Sequence, residues 1–472
     1  MKGGKQMEAY TQFEEEREFE VIDGNKKVKK YSKYWNEKLE TLPREELEEQ
    51  QLEDLKEIVK FSYENSPYYR RTFDEAGVKP EDIKTLKDIE RFPFINKQTE
   101  RDTQGVGSFL GELAAVPEED VVFISTSTGS TGVPTMSPFT KQDFDEFQET
   151  ESRWFWQVGM RPNDRYVHAL NFSLYVGGPD VIGAQNLGAL CIWGGTLPSE
   201  RLLFILKTYQ PTVIWTSPSY AWQLGEKAIK AGIDPKKDLA IKKIIVAGEL
   251  GGSIESTRKA IEDLWGAQVY DFYGLSDIFG ACAAMCDAKD GLHIAEDQIL
   301  VETVDLNTGE VLKPGEVGEL VYTTLRKHAR PMIRFRSGDI GWIDNTPCSC
   351  GRTHGRIHIN GRKDDMFIVS AVNVFPSDIE AVIRELKGIT GEYLIRVFDK
   401  DYTCKYSVEI EKNADNIQTD EEVAAIVSQA LKARIGVKPD KVVVHEDGGL
   451  NTRSEHKSKR IIDERKSKYE AK

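Results

Sequence analysis

The sequence contains no run of 18 consecutive apolar residues, so it predicts no membrane-spanning helix. No apolar segment follows the first five residues, MKGGK, and a secretory signal peptide is therefore not expected. Cysteine is scarce, with 6 in 472 residues, which excludes the disulfide framework of a small secreted protein. These absences lead us to expect a cytoplasmic protein with no membrane partner.

Positive charge is also in short supply, because 63 Lys and Arg residues stand against 78 Asp and Glu residues, a formal net charge of −15. Nucleic acid is not expected as a partner, since phosphate backbones require a basic surface. With 39% hydrophobic residues the chain can still bury large cores, and 472 residues exceed what one core usually supports. Two or three packed units are expected.

The stretch STSTGSTGVPT, residues 125–135, consists mainly of hydroxyl side chains and glycine. It follows Val121–Ile124, an apolar run that predicts a buried strand. Glycine permits close backbone approach to a ligand, and hydroxyl and N–H groups suit phosphate oxygens. No Gly-Lys-Ser/Thr follows, so this is not a Walker loop. Taken alone, the stretch fits a phosphate loop and a polar surface loop equally well.

Hydrophobic spacing predicts helical structure over residues 43–75, then alternating strands and helices between residues 142 and 247. Such alternation is typical of a parallel sheet covered by helices on both faces. Ligands of these sheets bind at the carboxyl ends of the strands, where the predicted loops also lie. Strands predominate after about residue 298, which indicates a β-rich subdomain.

The expected fold is α/β, with a large N-terminal domain of doubly wound sheets and a small α+β C-terminal domain. We expect residues 1–30 to form a polar N-terminal arm, either a loose one or a segment that covers a partner. The large domain would span residues 31–363, including the β-rich subdomain at about 298–360. The small domain would span residues 364–472.

Five further motifs follow the glycine-rich stretch, and each is weak alone. In order along the chain they are VAGELG at 246–251, DFYGLSD at 271–277, FRSGD at 335–339, GRKDD at 361–365 and RSEHK at 453–457. With this series in order, the sequence resembles the phenylacetate–CoA ligase branch of the adenylate-forming superfamily from about Tyr34 to its end. Stretches typical of the branch are NSPYYR at 65–70, GLH at 291–293, GELVYTT at 318–324 and CSCGRTH at 348–354.

The resemblance implies an aryl-CoA ligase that activates an aromatic carboxylic acid with ATP as an acyl-adenylate and then transfers it to coenzyme A. Lys457 would bridge the carboxylate and the α-phosphate, with Lys459 as its rival. Arg362 would reach the ribose or a phosphate. Asp364 would be the hinge at which the mobile small domain turns.

The resemblance also assigns residues to ATP and Mg²⁺. Phosphate would be held by Ser127, Thr128, Gly129, Ser130, Thr131 and Ser276, the adenine side by Gly248, Glu249, Leu250, Asp271, Phe272, Tyr273 and Gly274, and the ribose by Asp339. Asp277 would bind Mg²⁺ at a position where the branch usually carries Glu.

The acid pocket implied by the resemblance contains Leu170, Tyr175, Gly178 and Ala247. Leu170 is smaller than the Tyr common at its position, and Pro179–Gly183 departs from the usual branch sequence. We therefore expect a benzoate-, indole- or naphthoate-like aromatic acid, with space for a ring system bulkier than that of phenylacetate.

Cys348 and Cys350 are either ordinary turn cysteines or half of a zinc site. The resemblance adds Cys286 and His293, and this set of four would close a tetrahedral structural Zn²⁺ site. Cys282 is a rival for one ligand position.

Two other functions stay open. Val133 replaces a Lys common in the branch loop, and Ala371 replaces a Gly near the expected coenzyme A tunnel. Both changes keep open a ligase that passes the acyl group to another acceptor. The second alternative is a nucleotide-binding scaffold without turnover. A homodimer is implied by the resemblance.

Overall fold

The computed structural model describes residues 17–23, 26–127, 134–170, 177–195, 197–369, 372–400, 403–450 and 460–465. The chain divides into two units. The first comprises Met1–Trp215, Phe272–Ser337 and Trp342–His358, and the second comprises Thr216–Asp271, Gly338–Gly341 and Ile359–Lys472. The domain boundary expected at residues 363 and 364 stays a prediction.

The helices are α1 Glu37–Glu40, α2 Arg44–Asn65, α3 Pro67–Ala76, α4 Lys97–Thr103, α5 Lys141–Gln157, α6 Val181–Asn186, α7 Ser199–Tyr209, α8 Pro218–Lys230, α9 Pro235–Asp238, α10 Glu255–Trp265, α11 Pro376–Glu385 and α12 Asp420–Ile435. Within the described ranges, none of them combines the length and the apolar character needed to cross a membrane.

The strands of the first half are β1 Glu18–Asp23, β2 Lys26–Tyr31, β3 Ile95–Asn96, β4 Val121–Thr126, β5 Met136–Thr140, β6 Arg165–His168, β7 Leu190–Trp193, β8 Val213–Thr216, β9 Lys243–Val246, β10 Gln268–Leu275 and β11 Phe279–Met285. Those of the second half are β12 Leu292–Ile294, β13 Ile299–Val304, β14 Gly318–Thr324, β15 Phe335–Asp344, β16 Arg356–Arg362, β17 Phe367–Val369, β18 Val372–Val374, β19 Ile389–Lys400, β20 Thr403–Lys412, β21 Lys441–His445 and β22 Ile461–Asp463.

The first unit combines parallel and antiparallel pairing. Strand β6 pairs in parallel with both β7 and β8. Antiparallel pairs join β13 to β14, β12 to β16, and β11 to both β12 and the end of β10. In the second unit, β9 runs parallel to the beginning of β10, and β19 and β20 form the antiparallel centre of a four-stranded sheet. The mixed α/β class expected from the sequence is confirmed.

Three local expectations are refined or corrected by the structure. Residues 43–75 are helical as expected, but they form two helices, because Ser66 caps α3 by accepting from the Tyr69 N–H and Pro67 begins it. The described residues 17–23 and 26–31 are not a loose arm, because β1 and β2 pair along their whole length, with Asp23 opposite Lys26. The Gly24-Asn25 dipeptide between them is a hairpin signal that the high charge concealed.

The third is the burial of the strand that precedes the glycine-rich stretch. β4 forms a two-stranded antiparallel sheet with β5, and Val122 is 57% exposed. Only one face of β4 is covered, because the Phe123 ring packs against Phe139 at 5.5 Å and Phe144 at 5.2 Å between centroids. An apolar run alone cannot tell one covered face from two.

Candidate active site

The glycine-rich stretch connects β4 to β5, and its two ends are tied together. The Ser127 N–H donates to the Thr135 carbonyl at 3.0 Å, and the Ser127 hydroxyl oxygen accepts from the Thr135 N–H at 3.1 Å and from the Thr135 hydroxyl at 3.0 Å. Thr128, Gly129, Ser130 and Thr131 lie outside the described residues, as does Val133. The described part of the stretch is therefore the closed base of a hairpin.

Asp277, the expected Mg²⁺ ligand, lies beside this base. The Thr135 hydroxyl is 3.3 Å from Asp277 Oδ1, and the same carboxylate forms an ion pair with Lys97. The neighbouring Ser276 carbonyl faces the Ser125 hydroxyl at 3.5 Å. The fold thus brings together two stretches that the sequence places about 140 residues apart.

Burial tends to raise the pKa of Asp277, but the positive charges of Lys97 and Arg330 more than offset this and hold the pKa below its usual range. The side chain is only 5% exposed. An ionised, buried carboxylate next to hydroxyl oxygens matches the oxygen ligands that Mg²⁺ prefers. Asp277 therefore fits the metal role despite being one methylene shorter than Glu.

Four residues around Asp277 were not expected. Arg330 donates to Glu100 Oε1 at 2.6 Å, and Lys97 Nζ lies 3.2 Å from Glu100 Oε2. Lys327 donates to the Ser137 hydroxyl at 2.6 Å and to the Asp277 carbonyl at 3.1 Å. We call Lys97, Glu100, Asp277, Lys327 and Arg330 the ionic cluster.

The adenine-side motif of the first unit lies on β10 and the turn that follows it. The Phe272 ring is buried and packs against Trp215 at 5.2 Å and Phe155 at 6.1 Å, so it belongs to the core. The Tyr273 ring lies on the opposite face of β10 from Phe272, and its hydroxyl accepts from the Tyr322 hydroxyl at 3.1 Å. A Cβ on Gly274 would lie 1.8 Å from the Gly280 carbonyl oxygen, so only glycine fits there.

In the second unit, Asp271 and Glu249 fix the backbone of the glycine turn. The Ser253 hydroxyl donates to Asp271 Oδ2 at 2.5 Å. Glu249 accepts from the Ser219 N–H at 3.0 Å and from the Ser219 hydroxyl. Gly248 has φ +88°, a left-handed conformation that favours glycine. Leu250 and Ala247 are both half-buried in the same turn.

The buried carboxyl group of Asp271 leads to a prediction about how the stability of the protein depends on pH. Burial raises its pKa to about 7, against opposing hydrogen bonds from Ser253 and the charge of Arg258. The folded state therefore retains a proton that the unfolded chain loses near pH 4, so stability falls as pH rises from about 4 to about 7. As the pH rises over that range, the free energy of unfolding of Asp271→Asn should increase relative to that of the wild type, by up to about 4 kcal/mol in all.

The measurement is urea unfolding at pH values between 4.5 and 8. Asp263→Asn, on the exposed side of α10, is the matched control and should follow the wild-type curve. Parallel curves for Asp271→Asn and the wild type would contradict the prediction.

The expected ribose ligand and hinge are both in the second unit. Asp339 is 5% exposed and accepts from Arg362 Nη1 at 2.9 Å. Arg362 Nη2 also lies 3.6 Å from Asp364, whose side chain is 72% exposed. The structure brings these three together, whereas Lys457 and Lys459 lie outside the described residues.

The expected acid pocket is described only in part. Leu170 is half-buried and Gly178 is buried in the first unit, and Tyr175 lies outside the described residues. A Cβ on Gly177 would be 3.6 Å from both Leu170 Cδ1 and Asp180 Oδ2. Asp180 therefore lies beside the expected pocket, where the resemblance assigned no acidic group.

Cys286, His293, Cys348 and Cys350 meet in the first unit, and all four are buried. Their ligand atoms lie within 4.8 Å of one another, with Cys350 Sγ 3.2 Å from His293 Nε2 and Cys286 Sγ 3.7 Å from Cys348 Sγ. His293 Nδ1 is 2.9 Å from the His354 carbonyl, which would leave Nε2 to face a metal. Three sulfurs and one imidazole are a donor set that suits Zn²⁺. Cys282 is not part of this group.

Comparisons with known proteins agree with this geometry. The family model described as AMP-binding enzyme matches residues 40–324, and the AMP-binding enzyme C-terminal domain matches residues 371–465. The chain is 39% identical over 363 residues to the phenylacetate-coenzyme A ligase of Thermus thermophilus, covering 76% of this chain and 80% of that protein. It is 34% identical to the phenylacetate-coenzyme A ligase of Pseudomonas putida, covering 90% of this chain and 96% of that protein.

A crystal structure of 2-hydroxyisobutyryl-CoA ligase, in the postadenylation state in complex with 2-HIB-AMP, superimposes with a TM-score of 0.87. The two sequences are 29% identical, and the match covers 96% of each chain. The likeness therefore extends through both of the matched family regions.

Proposed function

The chain belongs to the AMP-binding enzyme family, in the branch of the phenylacetate–coenzyme A ligases, and on this premise we propose that it ligates an aromatic carboxylic acid to coenzyme A at the expense of ATP. The acid carboxylate attacks the α-phosphorus of ATP, and the bond to the β-phosphate breaks to release pyrophosphate. The thiol of coenzyme A then attacks the acyl carbon and displaces AMP, with its proton passing to solvent.

One observation of the structure carries the proposal: the closed base of the glycine-rich hairpin contacts the buried carboxylate of Asp277. A phosphate-binding loop next to a metal-binding carboxylate is what the attack of one anion on another requires, because positive charge must offset the developing negative charge. Lys97 and Arg330 supply positive charge beside that carboxylate, and Lys327 donates to the Asp277 backbone carbonyl.

Each remaining residue is given the role that its motif implies. Asp277 would hold Mg²⁺, which would neutralise phosphate charge when bound. Asp339 would accept from the ribose hydroxyls, with Arg362 holding its carboxylate in place at 2.9 Å. Lys457 would bridge the substrate carboxylate and the α-phosphate, and Tyr273 would stack on the adenine.

The test is pyrophosphate release from ATP and Mg²⁺ with a panel of aromatic acids, each with and without coenzyme A. Release that becomes multi-turnover only with coenzyme A, with AMP equal to thioester formed, is the expected result. Release that coenzyme A does not accelerate would refute coenzyme A as the acceptor. ATP binding without any release would favour a nucleotide-binding scaffold.

We also propose that Cys286, His293, Cys348 and Cys350 hold a structural Zn²⁺. The donor set would leave no open position, which is the pattern of structural zinc. The six cysteines, all of which lie in the described ranges, form no disulfide bond with one another, which favours the reducing cytoplasm as the setting. A homodimer is proposed from the resemblance, and light scattering coupled to size-exclusion chromatography tests it.

A further inference from the structure

The buried carboxylate of Asp277 is paired with an ammonium group that reaches it from the surface. Lys97 is the first residue of α4 and forms an ion pair with Asp277 Oδ1. Glu100 stands three residues later on the same helix, and its Oε2 lies 3.2 Å from Lys97 Nζ. The Lys97 side chain is 31% exposed, whereas that of Glu100 is fully buried and that of Asp277 nearly so. One partly exposed ammonium group therefore stands between two buried carboxylates.

The other two cations of the ionic cluster are held by buried partners. Arg330 is buried and donates to Glu100 Oε1 at 2.6 Å, while its Nη2 stays 4.0 Å from Asp277 Oδ1. Lys327 is also buried, and it donates to the backbone carbonyl of Asp277 and not to the carboxylate. Withdrawing either cation would leave buried polar groups without partners, which is costly. Among these three cations, Lys97 alone can move its charge into water on a flexible stem.

The pair formed by Lys97 and Asp277 has a clear energetic reason. An ionised carboxylate that is buried without a counter-ion is costly, so Asp277 needs a positive partner whenever no metal is bound. A divalent cation would need the same carboxylate oxygen, and an ammonium group at that oxygen would repel it. The two cations therefore exclude each other at Asp277 Oδ1.

We propose that Lys97 is a placeholder for the metal ion: its ammonium group occupies the Mg²⁺ position on Asp277 in the free enzyme and withdraws when the metal binds. Lys97 then keeps Glu100 as its acidic partner. The free enzyme would bind divalent cations weakly, and metal binding would depend on ATP, whose phosphates add oxygen ligands. This inference rests on the proposed metal role of Asp277 and identifies the residue that opposes metal binding in the absence of nucleotide.

The experiment measures the binding of Mn²⁺ alone, without ATP or acid, by electron paramagnetic resonance of the unbound ion. Lys97→Met removes the ammonium group and keeps an apolar stem, and we expect it to bind one Mn²⁺ per chain more tightly than the wild type by about tenfold or more. Lys97→Arg keeps the positive charge and should bind Mn²⁺ as weakly as the wild type. Lys259→Met is the matched control, because it removes a lysine from an exposed ion pair with Glu255, and it should leave the affinity unchanged.

A double variant locates the bound ion. Lys97→Met combined with Asp277→Asn should lose the tighter binding, because the carboxylate that the ammonium group blocks is then gone. A merely structural role of Lys97 would lower stability without tightening Mn²⁺ binding. Lys97→Gln is the second uncharged variant, for use if Lys97→Met does not fold.

Two results would overturn the inference: an affinity of the uncharged Lys97 variants less than about threefold above that of the wild type, or tighter binding that survives the removal of the Asp277 carboxylate. The measurement uses neither ATP nor acid. Failure of every acid to cause pyrophosphate release would therefore refute the ligase proposal while the Mn²⁺ result stands on its own.

Discussion

Replacing Asp277 by Asn is expected to lower kcat/KM for acid-dependent pyrophosphate release by about 100-fold to 1,000-fold, or about 3–4 kcal/mol. Asn has the same shape but no charge, so it removes the anion that would bind Mg²⁺. It also leaves Lys97 and Arg330 with Glu100 as their remaining acidic partner in the ionic cluster. The loss should appear in the dependence on Mg²⁺ as well, with a higher Mg²⁺ concentration needed for half-maximal rate.

Two variants make the measurement specific. Asp277→Glu restores the residue usual in the branch and should retain most of the activity. Asp297→Asn removes another buried carboxylate, which accepts from Arg153 at 2.9 Å, and should cost about 3–5 kcal/mol of stability while the folded enzyme keeps its Mg²⁺ dependence. Activity of Asp277→Asn within threefold of the wild type would refute the metal assignment.

Replacing Cys350 by Ser is expected to remove about one zinc ion per chain and to lower the free energy of unfolding by at least about 3 kcal/mol. The physical reason is that a bound metal would join the β11–β12 region to the turn at Cys348 and Cys350, segments about 60 residues apart. Without a fourth ligand the site is incomplete, and the buried thiols lose the charge that would stabilise them as thiolates.

Metal content is measured by mass spectrometry on protein purified without chelators, and stability by thermal and urea unfolding. Cys404→Ser is the control, because Cys404 is half-buried in the second unit and should leave the zinc content unchanged. The kcat/KM of the folded Cys350→Ser protein should remain within a fewfold of the wild type if the role is structural. A wild-type protein without zinc would contradict the site.

The periodic parts of the chain were predictable from sequence, and the sites were predictable only where a motif is continuous. The segments from α5 to β8 alternate between helix and strand as expected, because their apolar spacing is regular. Arg362 and Asp339 were expected through their motifs, and they meet. Nothing in the local sequence around Lys97 or Lys327 indicates that both approach Asp277, because their burial depends on distant segments.

The burial of individual polar groups could not be predicted from the sequence either. Glu151 falls within a helix whose aromatic residues suggest an apolar face, and no spacing rule indicates that the helix also buries this acid. The strand β4 shows the opposite error, because an apolar run leaves Val122 more than half exposed. In each case the exposure of a side chain depends on which elements pack against it in the folded chain, and single-sequence patterns contain no record of that packing.

The ionic cluster around Asp277 also affects how the protein is made. Arg330 and Glu100 are 230 residues apart in sequence, and Asp277 and Lys97 are 180 apart. At about 5–20 residues per second, a ribosome needs about 10–50 s to supply Arg330 after Glu100 has been synthesised. Lys97 and Glu100 must stay solvated through that interval, since burying them without their partners would be costly. The ionic cluster can therefore form only late in translation, and a nascent chain that ends before Asp277 cannot assemble it.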